Sequence, residues 1–143
     1  MPDTPETIIA FDFGLRRIGV AIGQQVTNSS SALETVANGE SGPDWLRIGK
    51  IIREWAPHRL IVGMPLHVDG FPSETSELVS NFVAELDRFE LPIETVDERY
   101  SSVEAQAVLK SKRAGGLRGR ISKASIDSAA AALIAERWLK NER

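Results

Sequence analysis

Residues 8–23, Ile-Ile-Ala-Phe-Asp-Phe-Gly-Leu-Arg-Arg-Ile-Gly-Val-Ala-Ile-Gly, constrain the fold more than any other stretch of the chain. Two apolar runs, Ile8 to Phe13 and Ile18 to Ile22, flank a short polar turn, the pattern of a β-hairpin entering a buried sheet. A carboxylate interrupts the first run. An ionised Asp in such a place is costly unless compensated, so Asp12 is expected to meet a cation, a set of donors or a metal. Gly14, two residues on, bares the backbone so that an anionic ligand can come close to that carboxylate.

The remaining elements follow in order. Met1 to Glu6, with two Pro, reads as an unstructured lead-in. Strands are expected over about Thr7–Phe13 and Arg17–Gly23, and a weaker one over Ser31–Val36 completes an antiparallel meander. Asn38 to Pro43 reads as loop. Asp44–Trp55 reads as an amphipathic helix with Trp45, Ile48, Ile51, Ile52 and Trp55 on one stripe and Pro57 closing it. Because both Trp share that stripe, core is the better reading for them than a base-stacking platform. Arg59–Met64 is a continuous apolar run, the mark of a strand buried on both faces. A second helix is expected over Pro72–Phe89, with Leu78, Phe82, Val83 and Leu86 inward, and another strand over Pro92–Val96. Ser101 and Glu104 have capping-box spacing for a helix over Ser102–Lys112. A last helix spans about Ser125–Lys140. A meander followed by alternating helices and strands implies an α/β fold: one mixed sheet with helices on both faces, in one domain over residues 1–143.

Charge narrows the function. The net charge of −3 argues weakly against nucleic acid, yet the sum hides a patch. Lys110, Lys112, Arg113, Arg118, Arg120 and Lys123 fall in one stretch that has no acid and contains Gly115, Gly116 and Gly119. Such a stretch suits a phosphate backbone; a solvated surface loop explains it equally well. With no Cys, disulfides and thiolate metal sites are excluded. No apolar run spans a bilayer and no signal sequence opens the chain, so a cytoplasmic protein with no membrane association is expected.

Three acids draw attention. In α/β sheets reactive groups gather where strands end. Asp12 lies at the exit of the first strand, Glu98 just past the last one, and Asp127 at the start of the final helix. Together they suit two-metal phosphodiester hydrolysis, in which Mg²⁺ or Mn²⁺ is held by carboxylate oxygen. Each has a plainer explanation. Asp127 could serve only the helix dipole, and Glu98 could pair with Arg99 or Arg17 on the surface. Asp12, inside an apolar strand, is the hardest to explain away.

Asp12-Phe-Gly14 with Arg17-Ile-Gly-Val-Ala21, Val62-Gly-Met-Pro65 with Asp69-Gly70, Val96-Asp-Glu-Arg99 before Ser101-Ser102, and Ile126-Asp127 leading Ala129-Ala130 together resemble the YqgF/RuvX family. That family is bacterial and RNase H-like, and is described as a Holliday-junction resolvase or as the nuclease maturing the 5′ end of pre-16S rRNA. The resemblance implies a five-stranded mixed sheet of order 3-2-1-4-5 with strand 2 antiparallel, and divalent-metal-dependent endonuclease chemistry. It places the family's acidic triad on Asp12, Glu98 and Asp127, as catalytic residues and as ligands for Mg²⁺ or Mn²⁺, with water as nucleophile. It also implies that Lys123 is placed to neutralise the scissile phosphate; Lys112, Arg113, Arg118 and Arg120 of the basic stretch are expected to contact nucleic acid with it, as are Arg16 and Arg17, for which plain solubility is the alternative. The implied partners are structured RNA, as pre-16S rRNA in a pre-ribosomal particle, or branched DNA, bound by a monomer or weak homodimer. Gly23-Gln24 replaces the Ser-Asp pair frequent in the family, and His67 the Asn before the Asp-Gly turn.

In the order 3-2-1-4-5, one strand separates those carrying Asp12 and Glu98, so their axes lie about 10 Å apart. Two ions, or an inward curl of the Asp97-Glu98 turn, would bridge that gap. Two other readings remain: a non-catalytic nucleic-acid-binding module, and an ATP-binding relative of the actin and sugar-kinase superfamily, whose first phosphate loop also carries Asp-x-Gly. Length counts against the second, which needs two lobes.

Overall fold

The computed structural model describes residues 5–64, 74–97 and 123–141, with only the backbone at 74–75, 97, 123–127 and 141. Strands β1 (Thr7–Phe13), β2 (Arg17–Gln24) and β3 (Ser29–Gly39) form an antiparallel meander. Two residues, β4 (Gly42–Pro43), pair with the end of β3. After helix α1 (Trp45–Trp55), β5 (Arg59–Met64) lies parallel to β1; after α2 (Glu74–Leu86) and a 3-10 turn at Asp87–Phe89, β6 (Ile93–Asp97) lies parallel to β5. Helix α3 (Lys123–Asn141) ends the described chain.

The sheet order is β4-β3-β2-β1-β5-β6, so the five expected strands stand in the expected order and a sixth joins the edge. The correction is local. Gly39 and Asn38 pair with Gly42 and Pro43 where the sequence reads as loop. The expected helix over Ser102–Lys112 falls outside the described residues, as do Lys112, Arg113, Arg118, Arg120 and His67.

Strand alternation sends each side chain to one of two cores. On one face Ile9 and Phe11 of β1, Ile18, Val20 and Ile22 of β2, and Leu60 and Val62 of β5 meet Ile48, Ile51 and Ile52 of α1 and Val79, Phe82 and Leu86 of α2. Phe82 is the hub, packing edge-on to Phe11 at 5.6 Å and stacked with Trp45 at 5.6 Å. The inward residue of α2 is Val79; Leu78, expected there, is 43% exposed. Both positions fit a helical stripe with Phe82 and Leu86, and the direction of packing chose between them. Trp55, at the end of the α1 stripe, is likewise 39% exposed. Asp44 caps α1 by accepting from the Arg47 backbone N–H at 3.2 Å, and Ala56, left-handed at φ 43°, closes it before Pro57.

On the other face Ile8, Ala10 and Ile61 meet Ala135, Ile134, Trp138 and Leu139 of α3. The small residues bring the helix close. A Cβ on Gly23 would meet the Ile8 Cδ1 at 2.9 Å and the Ala135 Cβ at 3.3 Å, so glycine at this point of β2 lets α3 settle on the sheet.

The amino ends of β1, β5 and β6 are locked by charge. Arg59 donates to both Glu6 carboxylate oxygens, at 2.9 and 3.1 Å, and also to Glu94. The indole N–H of Trp138 donates to Glu94 at 3.1 Å, and the Arg59 guanidinium lies 5.7 Å from the Trp138 ring centre. The hydrogen bond from Arg59 holds the Glu6 carboxyl below its usual range, and Glu6 in turn raises the Arg59 value further. Glu6 therefore belongs to the fold, not to a loose lead-in. Its backbone also exchanges hydrogen bonds with Gln25.

Candidate active site

Asp12 stands one residue before the end of β1, half-buried. Ile8 and Ala10 of the same strand lie in the core under α3, so alternation puts Asp12 on the α3 face. The residue opposite it on β2 is Gly19. On the other side, Phe11 pairs with Val62, which brings Gly63 to the next step of β5. Glycines therefore stand beside Asp12 on both neighbouring strands. Asp12 also engages an interaction partner, as the cost of sheltering a charge requires.

The turn after Asp12 is held from β3. A Cβ on Gly14 would stand 2.4 Å from the Arg17 carbonyl oxygen, so glycine is needed to close the turn, whatever it does for a ligand. Asn38, buried, donates from Nδ2 to the Gly14 carbonyl at 2.7 Å, and its backbone N–H donates to the Arg16 carbonyl at 2.9 Å. Arg16 is exposed at the tip and Arg17 half-buried at the start of β2. Ile18 faces the α1/α2 core, so Arg17 leaves β2 on the α3 face, as Asp12 leaves β1.

Because β1, β5 and β6 run parallel, their carboxyl ends form one rim. Glu98 follows β6 directly and lies outside the described residues; β5 separates β1 from β6, as the expected order requires. Helix α3 is anchored at its far end, where Trp138 meets Glu94. Back from Trp138 to Asp127 the helix covers roughly 16 Å, against roughly 13 Å of strand from Ile8 to Asp12. Asp127 lies one turn into α3, after Lys123 at its start, on a helix that also crosses β2 and β3. Among the described residues no three His, Cys, Asp or Glu gather in a metal-binding group; Asp12 supplies the hard oxygen donor that Mg²⁺ or Mn²⁺ favours.

The sequence pointed to Asp12 through its setting in an apolar run. It gave no warning of Asn38, whose partner is 24 residues away; Gly19 read only as a strand residue, and Gly63 as part of the signal that ends its strand.

The comparisons with known proteins decide the family. The model described as "RuvX: Holliday junction resolvase" matches residues 6–141. The chain belongs to the RuvX family. A protein of Edwardsiella ictaluri named "Putative pre-16S rRNA nuclease" is 43% identical over 139 residues, covering 96% of this chain and 97% of that protein. One of the same name from Legionella pneumophila is 45% identical over 133 residues, covering 92% and 94%. Solved structures carry the fold further. A fowlpox virus resolvase in complex with Holliday junction DNA aligns at TM-score 0.58 with 12% identity, over 95% of this chain and 98% of that one. Thermus thermophilus RuvC with its Holliday junction substrate aligns at TM-score 0.54 and 12% identity, over 95% of each chain. At that identity the likeness establishes the fold, which is the RNase H-like one.

Proposed function

We propose that this family member is a metal-dependent endonuclease, a hydrolase of phosphodiester bonds in structured RNA, with pre-16S rRNA in the pre-ribosomal particle as its substrate. The observation that carries this reading is Asp12: a half-buried carboxylate at the carboxyl end of a central strand, with a glycine on either side. Asp12, Glu98 and Asp127 are the proposed catalytic residues and metal ligands. The two-strand separation between β1 and β6 favours a pair of ions over a single shared one. The chemistry a bound Mg²⁺ or Mn²⁺ supplies is activation of water and neutralisation of charge at the leaving oxygen.

The chain's own residues do the remainder. Asp12, on a strand fixed between two others, sets where the scissile phosphate must lie, and the glycines flanking it leave room for that phosphate. Arg17 shares its face of the sheet, and with Arg16, Lys112, Arg113, Arg118, Arg120 and Lys123 is proposed to hold the phosphates to either side. The rRNA assignment is supported by the name carried by relatives above 40% identity over nearly the whole chain. Resolution of four-way DNA junctions is the second reading, supported by the family description and by the junction complexes among the structural neighbours.

The family match over residues 6–141 supports one nuclease domain across 1–143. Among the described residues no helix is long and apolar enough to cross a membrane, and a role in ribosome assembly would place the protein in the cytoplasm, as a monomer or weak homodimer.

The test is cleavage of labelled rRNA precursor and of four-way junctions with Mn²⁺, wild type against Asp12→Asn. Cutting of the precursor by wild type alone supports the first reading, and cutting only of junctions the second. Equal cutting by both proteins overturns the assignment of Asp12.

A further inference from the structure

Asp12 and Phe13 are consecutive in β1, so they leave the same rim on opposite faces of the sheet. On the Phe13 side, between the β1–β2 turn and α2, lies a pocket of about 310 Å³. Pockets that hold small organic ligands start at roughly 300 Å³. Its base is aromatic: the half-buried Phe13 and the buried Phe82, with ring centres 5.1 Å apart. Leu15 and Leu78 also line it and are 65% and 43% exposed. Large apolar side chains left in water around a concavity mark a surface that receives something. One edge is polar, with the exposed Asn81 and Glu85 a helical turn apart on α2. Among the described residues lining it there is no Lys or Arg to draw a phosphate. An aromatic floor with an amide and a carboxylate at one edge matches an unstacked nucleobase presenting N–H donors.

We propose that this pocket receives an unpaired base of the substrate strand beside the cut, with Glu85 and Asn81 reading its donor edge. The proposal rests on the nuclease reading, because continuity with Asp12 through β1 is what brings a nucleic-acid strand to the pocket. Guanine fits the edge best, since its neighbouring imino and amino groups can both donate to one carboxylate. Glu85 is available for this. Its contact with Arg88 is an exposed pair at 3.6 Å, which exchanges at little cost. The strand would pass over the rim, with a phosphate on the Asp12 side and the adjoining base on the Phe13 side.

The test is equilibrium binding of labelled single-stranded RNA in EDTA, where no cutting occurs. Three uridine tracts are compared: one unmodified, one with a single guanosine and one with inosine at the same position. Wild type should hold the guanosine tract on the order of tenfold more tightly than the uridine tract, with inosine between them. Glu85→Gln and Asn81→Ala, both at exposed sites, should remove most of that difference by bringing the guanosine tract towards the uridine tract. Equal affinity for the three tracts, or variants that weaken all three alike, overturns the proposal. Cleavage of the same RNAs with Mn²⁺ is scored separately. Base-dependent binding without cutting would sink the nuclease reading and keep the pocket, and cutting without base dependence would do the reverse.

Discussion

The two rims of the sheet are built on opposite principles. At the amino ends of β1, β5 and β6, Arg59, Glu6, Glu94 and Trp138 satisfy one another across strands and helix. At the carboxyl ends, Asp12 sits between two glycines, Arg16 reaches into solvent, and an apolar pocket opens on the far face. The first rim is closed by charges that satisfy one another, and the second is lined by glycine main chain on one face and by an apolar pocket on the other. A helix anchored at one end can present its other end in a fixed place, and α3 is anchored at the closed rim and crosses the sheet from there.

If that division is real, variants at the closed rim should change stability and spare the chemistry of the folded protein, and variants at the open rim should do the opposite. The largest effect is expected at Trp138, whose truncation to Ala removes a buried ring and the donor to Glu94. Unfolding by denaturant should show a loss of about 3–5 kcal/mol. The cutting rate of the molecules still folded should stay within a few-fold. Asp12→Asn should be the mirror image: single-turnover cleavage down at least about 100-fold, or about 2.7 kcal/mol in the barrier, with the unfolding midpoint unchanged or raised. A large drop in stability there would make Asp12 a structural acid.

Asn38→Ala sharpens the contrast because Asn38 holds the turn at the open rim. Loss of its bond to the Gly14 carbonyl should cost about 1–3 kcal/mol, and cleavage should fall further than stability explains. Glu6→Gln gives the smallest effect, about 1 kcal/mol or less, because the pair is partly solvated. Its sign with pH is fixed. The Glu6 carboxyl is held below its usual 4.5 in the folded protein, so the unfolded chain takes up the proton first as pH falls. Its contribution is whole well above pH 4.5 and is lost as pH drops through the folded value. Melting curves of wild type and Glu6→Gln should therefore differ at neutral pH and converge in acid.

How far the sequence disclosed this depends on whether a residue's partner is near or far along the chain. Strands β1 and β5 match their expected bounds because continuous apolar runs end at Gly14 and at Gly63-Met64-Pro65. Strand β3 runs from Ser29 to Gly39, longer than the expected Ser31–Val36. Its ends are Ser, Ala, Asn and Gly, which carry no hydrophobic period and are held by pairing with β2 and β4. Asp12 was legible because a charge inside an apolar strand is conspicuous without any partner in view. Asn38, Glu6 and Arg59 were not, since each acts on a residue between 24 and 53 positions away, and nothing local distinguishes an Asn beside a Gly from an ordinary turn.

The glycines beside Asp12 make the sides of its niche main chain. Main chain has no rotamers, so neither of these two positions can swing in to narrow the opening or out to widen it. The width is fixed by the ladders joining β2, β1 and β5, and it persists on warming for as long as those ladders do. For this molecule, losing the niche and melting the sheet would be one and the same event.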